Sequence, residues 1–400
     1  MNRISILSFV LFLLGGCTVT KESKPAAIHI LSSPAGSSSG EPHLFSDDAG
    51  NVYLSWVEKK AKRGEFKFSA LKDNQWSEPI LIDSGSNWFV NWADYPMIAS
   101  SKGKFVAHYL EKSGEGTYAY DVKITTSLDS GKTWRSASIL HDDGKQAEHG
   151  FVSLIPYGGN FLVTWLDGRN TVMEGMEGMD HEGHHGAMSL RAAIIDQEGT
   201  KLNEWELDNK TCDCCQTTAA ITDNGPVVVY RDRSDEEIRD MSIVRLVNGE
   251  WTAPQSIFQD NWKIAGCPVN GPRSASMGNT LVTAWFSSPE NKAMVNVVFS
   301  SDGGAAFGKP IRIDEGNPIG RVDIVLLDAE TAMVSWMEGS DIKVLKVKQD
   351  GSKGQAITLA SSSEGRSSGF PQMTKSGNTL IFAWTDDKEK SIKTASLLLK

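Results

Sequence analysis

Ser127-Leu128-Asp129-Ser130-Gly131-Lys132-Thr133-Trp134 is matched far downstream by Ser300-Ser301-Asp302-Gly303-Gly304-Ala305-Ala306-Phe307. Both match the pattern S-x-D-x-G-x-T-W, the second with Ala306 at the Thr position and Phe as its closing aromatic. In such a turn the Asp and Ser side chains bond backbone amides, Gly accepts positive φ and the aromatic lodges between neighbouring strands. Shorter versions, Asn74-Gln75-Trp76, Asn248-Gly249-Glu250-Trp251 and Asp350-Gly351, stand at the corresponding place in their own segments. A repeated unit is implied.

The period comes from a second recurring feature. Seven short apolar strands end at Trp56, Tyr109, Trp165, Arg231, Trp285, Trp336 and Trp384, at intervals of 53, 56, 66, 54, 51 and 48 residues. Periods near this length predict propeller blades of four strands. The expected fold is therefore an all-β propeller of seven four-stranded blades; six fit if one unit is misread. Unit one is read as strands Pro42 to Ser46, Val52 to Trp56, Glu65 to Leu71 and Ile80 to Asp83. Later units begin near Tyr95, Gly150, Thr217, Asn270, Arg321 and Phe370. The last unit has only three strands before Lys400, so Ile28 to Leu31 is expected to close the ring and remove an open edge.

On these turns and this period the chain resembles the sialidase-like, or BNR/Asp-box, β-propeller superfamily, from Ile28 to Lys400. The Asp-box residues Ser127, Asp129, Gly131, Trp134, Ser300, Asp302, Gly304 and Phe307 are structural, and the same box occurs in propellers without activity. A sialidase of the family clamps a sugar carboxylate with three arginines, the first in a Phe/Tyr-Arg-Ile-Pro segment. Here that segment reads Glu41-Pro42-His43-Leu44, with no arginine. Asp94, Tyr230 and Glu237 are loose counterparts of the family's acid and its Tyr/Glu pair, and no catalytic residue is assigned. The resemblance leaves a sialidase-like exo-glycosidase as one alternative and a protein-docking scaffold as another.

The N-terminus reads as a bacterial lipoprotein signal. Ile4 to Leu14 is apolar but too short to span a bilayer of about 30 Å, and Leu14-Gly15-Gly16-Cys17 resembles a lipobox. Residues 1–16 are then a cleaved signal, Cys17 is the lipidation site, 17–26 a polar tether and 27–400 the propeller. Thr18 after the cysteine implies sorting to the outer membrane. The chain carries 40 Lys plus Arg against 50 Asp plus Glu, a net charge of −10, which argues against nucleic acid as a partner.

Loops leading into the inner strands and loops joining second to third strands emerge on one face of a propeller; the Asp boxes lie on the other. Most unusual residues sort to the first face. Met173, Met176, Met179, His181, His184, His185 and Met188 lie in one insertion of unit three, which holds four of the 12 Met and three of the 8 His. Thioethers and imidazoles suit copper or another soft metal ion; a flexible polar loop that binds nothing is the bland alternative. Cys212, Cys214, Cys215 and Cys267 lead into consecutive units. They fit structural disulfides, a thiolate metal site or redox exchange, and a Cys212–Cys267 bridge would stabilise by about 4 kcal/mol. Arg231 breaks the aromatic pattern. It fits either an ion-pair network or, with Arg233, Arg321 and Arg366, an anionic ligand. Trp92 with Asp94 would serve a sugar platform or simple packing. The expected function is a lipid-anchored envelope protein binding a small ligand, glycan or soft metal on this face.

Overall fold

The computed structural model describes residues 28–171 and 186–399. Cys17, the signal, the tether and the Met/His run from Met173 to His185 lie outside the described residues.

Seven antiparallel sheets form the ring, with inner strands Ser39–Ser46, Met97–Ser101, His149–Tyr157, Thr218–Thr222, Arg273–Met277, Pro318–Asp328 and Gln372–Ser376. The reading with six blades is thus excluded. In blades one and four the outer position is split. In blade one, Gln75–Trp76 and Ile80–Gly85 pair different ends of Arg63–Lys72. Ile28–Leu31 completes blade seven by pairing antiparallel with the C-terminal strand, Ile28 opposite Leu397 and Leu31 opposite Thr394.

The recurring aromatics sit at the blade-to-blade contacts and are buried. A buried indole needs a partner for its N–H, and the sequence supplies an acid two residues on. Trp56 donates to Glu58 at 2.9 Å, Trp165 to Asp167 at 2.8 Å and Trp336 to Glu338 at 2.7 Å. The same-face spacing of a strand makes the bond possible.

Both Asp boxes adopt the expected turn. Ser127 Oγ donates to Asp129 and accepts from the Gly131 amide; Ser300, Asp302 and Gly304 repeat the set. Gly131 and Gly304 have φ of 80° and 82°.

Consecutive blades are joined by polar side chains near the inner strands that accept backbone amides of the next blade. Asp94 accepts from Phe151 N at 2.8 Å, Gln216 from Gly271 N at 3.1 Å, Asn270 from Arg321 N at 2.8 Å and Asp323 from Met373 N at 2.6 Å. Two glycines leave room for these approaches. A Cβ on Gly150 would lie 2.0 Å from Asp94, and one on Gly320 2.2 Å from Asn270.

Arg231, the exception to the aromatic pattern, is 1% exposed. Among the described residues its guanidinium contacts no carboxylate. It donates to the carbonyls of Arg239 at 2.7 Å, Asn270 at 2.8 Å and Phe286 at 2.7 Å, and lies 4.8 Å over the Trp262 ring. The residue ties blade four to blade five through main-chain acceptors that an ion-pair network would leave unbonded. Arg231→Met should therefore leave three carbonyls, two of them in buried bonds, without this donor and lower unfolding free energy by about 3 kcal/mol or more. Urea denaturation monitored by tryptophan fluorescence checks this; a loss below about 1 kcal/mol would contradict it.

Candidate functional site

A pocket of about 600 Å³ opens on the face where the lead-in loops meet. Trp92, Tyr120, Glu148, Asp213, Cys214 and Cys267 contribute to its wall. Met188, Arg233 and Arg366 line it as well. So do Thr171 and Gly186, the residues that flank the undescribed Met/His run.

Strand pairing positions the thiols. Thr211 bridges Asp232, and Cys212 N donates to the Arg231 carbonyl at 3.1 Å, which brings Cys212-Asp213-Cys214-Cys215 against the end of blade four's second strand. All four of the described cysteines are free thiols. The sulfurs of Cys212, Cys214 and Cys215 lie within 4.8 Å of one another, all buried, with Cys212 and Cys215 3.7 Å apart. Cys267 is exposed and interacts through its thiol with Cys214. A Cys212–Cys267 bridge is one of the pairings open from the sequence; in the structure it is Cys214 whose thiol stands beside Cys267.

Arg239 donates to Cys212 Sγ at 3.2 Å. Its backbone is placed by Trp262, whose carbonyl accepts the Arg239 amide. Burial opposes charge on Cys212, but hydrogen bonds from Cys214 and Cys215 and the Arg239 and Arg231 charges outweigh it, holding this thiol well below the usual range. Cys215 is pushed up to about 12 by burial and by Cys212. Of the three sulfurs, Cys212 beside the guanidinium is the one whose negative form these surroundings favour.

The arginines nominated for an anion are engaged to different degrees. Arg321 donates to Ser368 Oγ and to the carbonyls of Glu364, Gly365 and Gly369, and lies 5.0 Å over the Trp92 ring. Trp92 itself stacks on Phe370 with centroids 5.5 Å apart. Arg233 pairs with Asp213 at 3.1 Å and Glu237 at 2.8 Å. Arg366 is exposed at the pocket wall.

Asp94 is 2% exposed. It belongs to a trio that sequence reasoning missed. Tyr120 Oη lies 3.2 Å from Asp94 Oδ2 and 2.9 Å from Glu148 Oε1. One hydroxyl proton cannot serve both carboxylates, so the trio favours an added proton. Burial pushes Asp94 up to about 7 against bonds from Phe151 N and Tyr120. Burial, reinforced by Asp94, Asp213 and Cys267, holds Glu148 well above the usual range although Tyr120 opposes it. The signal that would have found them is the sorting by face: Tyr120 opens a third strand and Glu148 immediately precedes His149. The loosely matched Tyr230 and Glu237 do not pair: Tyr230 donates to Asp208, while Glu237 accepts from Arg233 and Arg239.

The propeller fold is shared with solved structures of low sequence identity. The polysaccharide lyase Uly1 is 9% identical, with 95% of this chain and 94% of that one covered and a TM-score of 0.54. An α-L-arabinofuranosidase from Fusarium graminearum, solved as a point mutant in complex with an iminosugar inhibitor, is 11% identical, with 92% and 98% covered and a TM-score of 0.51. Hadza microbial sialidase Hz136 is 13% identical, with a TM-score of 0.44; 74% of this chain is covered, and the match spans 63% of that sialidase. No protein-family model matches the sequence, and no curated protein matches it.

The trio makes a pH prediction. Asp94 binds its proton more tightly folded than unfolded, so its contribution to stability is full below the ordinary carboxylate range and falls as pH rises toward about 7. Between about pH 4.5 and 7.5 the wild type should lose up to about 3 kcal/mol relative to Asp94→Asn. Parallel urea-denaturation profiles of the two proteins would contradict this.

Proposed function

We propose that the protein is an envelope lipoprotein, anchored through Cys17 at the outer membrane, that binds a soft metal ion, monovalent copper, on its lead-in face. The observation carrying this reading is the cluster of Cys212, Cys214 and Cys215, with sulfurs mutually within 4.8 Å. A three-sulfur set with metal–sulfur bonds of about 2.3 Å has sulfur–sulfur edges of about 4 Å, so little movement is needed. Thiolates select soft ions. Arg239 beside Cys212 offsets the negative charge that such a complex would bury. Met188, itself a thioether, lines the same pocket, as do Thr171 and Gly186.

Anaerobic titration with Cu(I) against a chromophoric chelator tests this. One tight equivalent is expected, weakened at least about 100-fold in the Cys212→Ser/Cys215→Ser double variant, with only weaker equivalents lost when residues 173–185 are deleted. Unchanged uptake by the folded double variant would overturn the cluster as the site.

A second reading rests on the Asp94–Tyr120–Glu148 trio. A carboxyl, Glu148, whose hold on its proton is strengthened by burial in a pocket with Trp92 and Tyr118 on its wall is what a general acid acting on a glycan needs. Release of fluorophore from a glycoside panel, abolished by Glu148→Gln, would support it; no release from any member would remove it.

A further inference from the structure

The four thiols are graded from solvent to core. Cys267 is exposed. Cys214 is 9% exposed, Cys215 2% and Cys212 0%. Cys214 and Cys267 line the pocket, whereas Cys212 and Cys215 do not. Cys267 falls outside the set of sulfurs within 4.8 Å of one another, yet its thiol interacts with that of Cys214. The loop carrying it is held on both sides. Lys263 bridges Ile238, and Asn270 accepts the Arg321 amide at 2.8 Å. Around Gly266 there is open space, a Cβ there meeting only Ile264 at 3.9 Å. Cys267 is thus a solvent-facing thiol on a loop anchored at both ends, one step from a buried trio.

We infer that Cys267 is the exchange ligand of the site, the sulfur through which a monovalent soft ion passes between an external carrier and the buried trio. The inference rests on the soft-metal reading above and adds to it a path and a class of partner. The carrier presents Cu(I) on sulfur and is narrow enough at that point for the sulfur to enter the pocket. In the first step a bond forms from Cu(I) to Cys267 Sγ as one carrier sulfur leaves, and the Cys267 proton passes to solvent. The carrier sulfur released in that step takes up a proton; in the second, Cys214, then Cys212 and Cys215 bind as the remaining carrier sulfur and Cys267 depart, and the protons lost by the incoming thiols pass to the two departing sulfurs. Copper stays monovalent and no electron moves. The trio holds the ion and Cys267 sets how fast it is exchanged. A fourth permanent ligand would instead belong to the compact set, and Cys267 does not.

The test is stopped-flow loading with the Cu(I)–glutathione complex, followed by removal with bathocuproine disulfonate, on wild type, Cys267→Ser and Cys215→Ser. Expected for Cys267→Ser is wild-type stoichiometry, affinity within about threefold, and loading and removal each slowed at least about tenfold. Cys215→Ser should lose affinity. Wild-type rates in Cys267→Ser would overturn the inference, as would an affinity loss equal to that of Cys215→Ser, which would make Cys267 a holding ligand. Failure of the wild type to take up Cu(I) would instead sink the soft-metal reading. Iodoacetamide labelling of the metal-free wild type gives an independent check: Cys267 should be alkylated first, and faster labelling of Cys212 or Cys215 would contradict the gradient.

Discussion

The arrangement depends on the bonds that tie each blade to its successor at the lead-in face. Asp94, Gln216, Asn270 and Asp323 each accept a backbone amide from the following blade. An unpaired buried amide or carboxylate would be costly, so these bonds fix where neighbouring lead-in loops stand. The face is assembled by the same contacts that hold the ring. Gln216 follows the Cys212–Cys215 segment directly and bonds Gly271, while Asn270 lies three residues beyond Cys267. The cysteines of blades four and five are consequently gathered by structural bonds, with no ligand needed to draw them together. Asp94 does likewise for Phe151, three residues after Glu148.

The thiol cluster has an electrostatic setting that packing alone would not require. Four small, soft residues could fill such a space as neutral thiols. Arg239 aimed at Cys212 Sγ at 3.2 Å is harder to account for as filler, since a guanidinium beside a buried sulfur is favourable chiefly when that sulfur is charged. Arg239 is in turn balanced by Glu237, which also receives Arg233. Positive charge is held next to the sulfurs and negative charge one layer out.

Much of this was legible in sequence, for reasons tied to particular residues. Trp56, Trp165 and Trp336 could be read as a period because the contact between blades demands a large apolar group at one register position, and Ile28 to Leu31 could be read as closure because blade seven lacked a strand. Sorting loops by face put Cys267 near the Cys212 segment. Arg231 was recognisable as a break, but its partners are backbone carbonyls, which sequence does not display. Tyr120 and Glu148 went unseen because they are ordinary residue types 28 positions apart, joined only by the curl of blade two into blade three. Arg239 was hidden within the charged run from Arg231 to Asp240, where nothing in the spacing distinguishes the arginine that turns inward.

The soft-metal proposal requires the three buried sulfurs to act as one metal-binding set. X-ray absorption at the copper edge, on protein carrying one equivalent of Cu(I), addresses it most directly. A first shell of three sulfurs at about 2.3 Å is expected, in the full chain and equally after deletion of residues 173–185. A first shell dominated by nitrogen, or a sulfur shell that survives in the Cys212→Ser/Cys215→Ser variant, would contradict it.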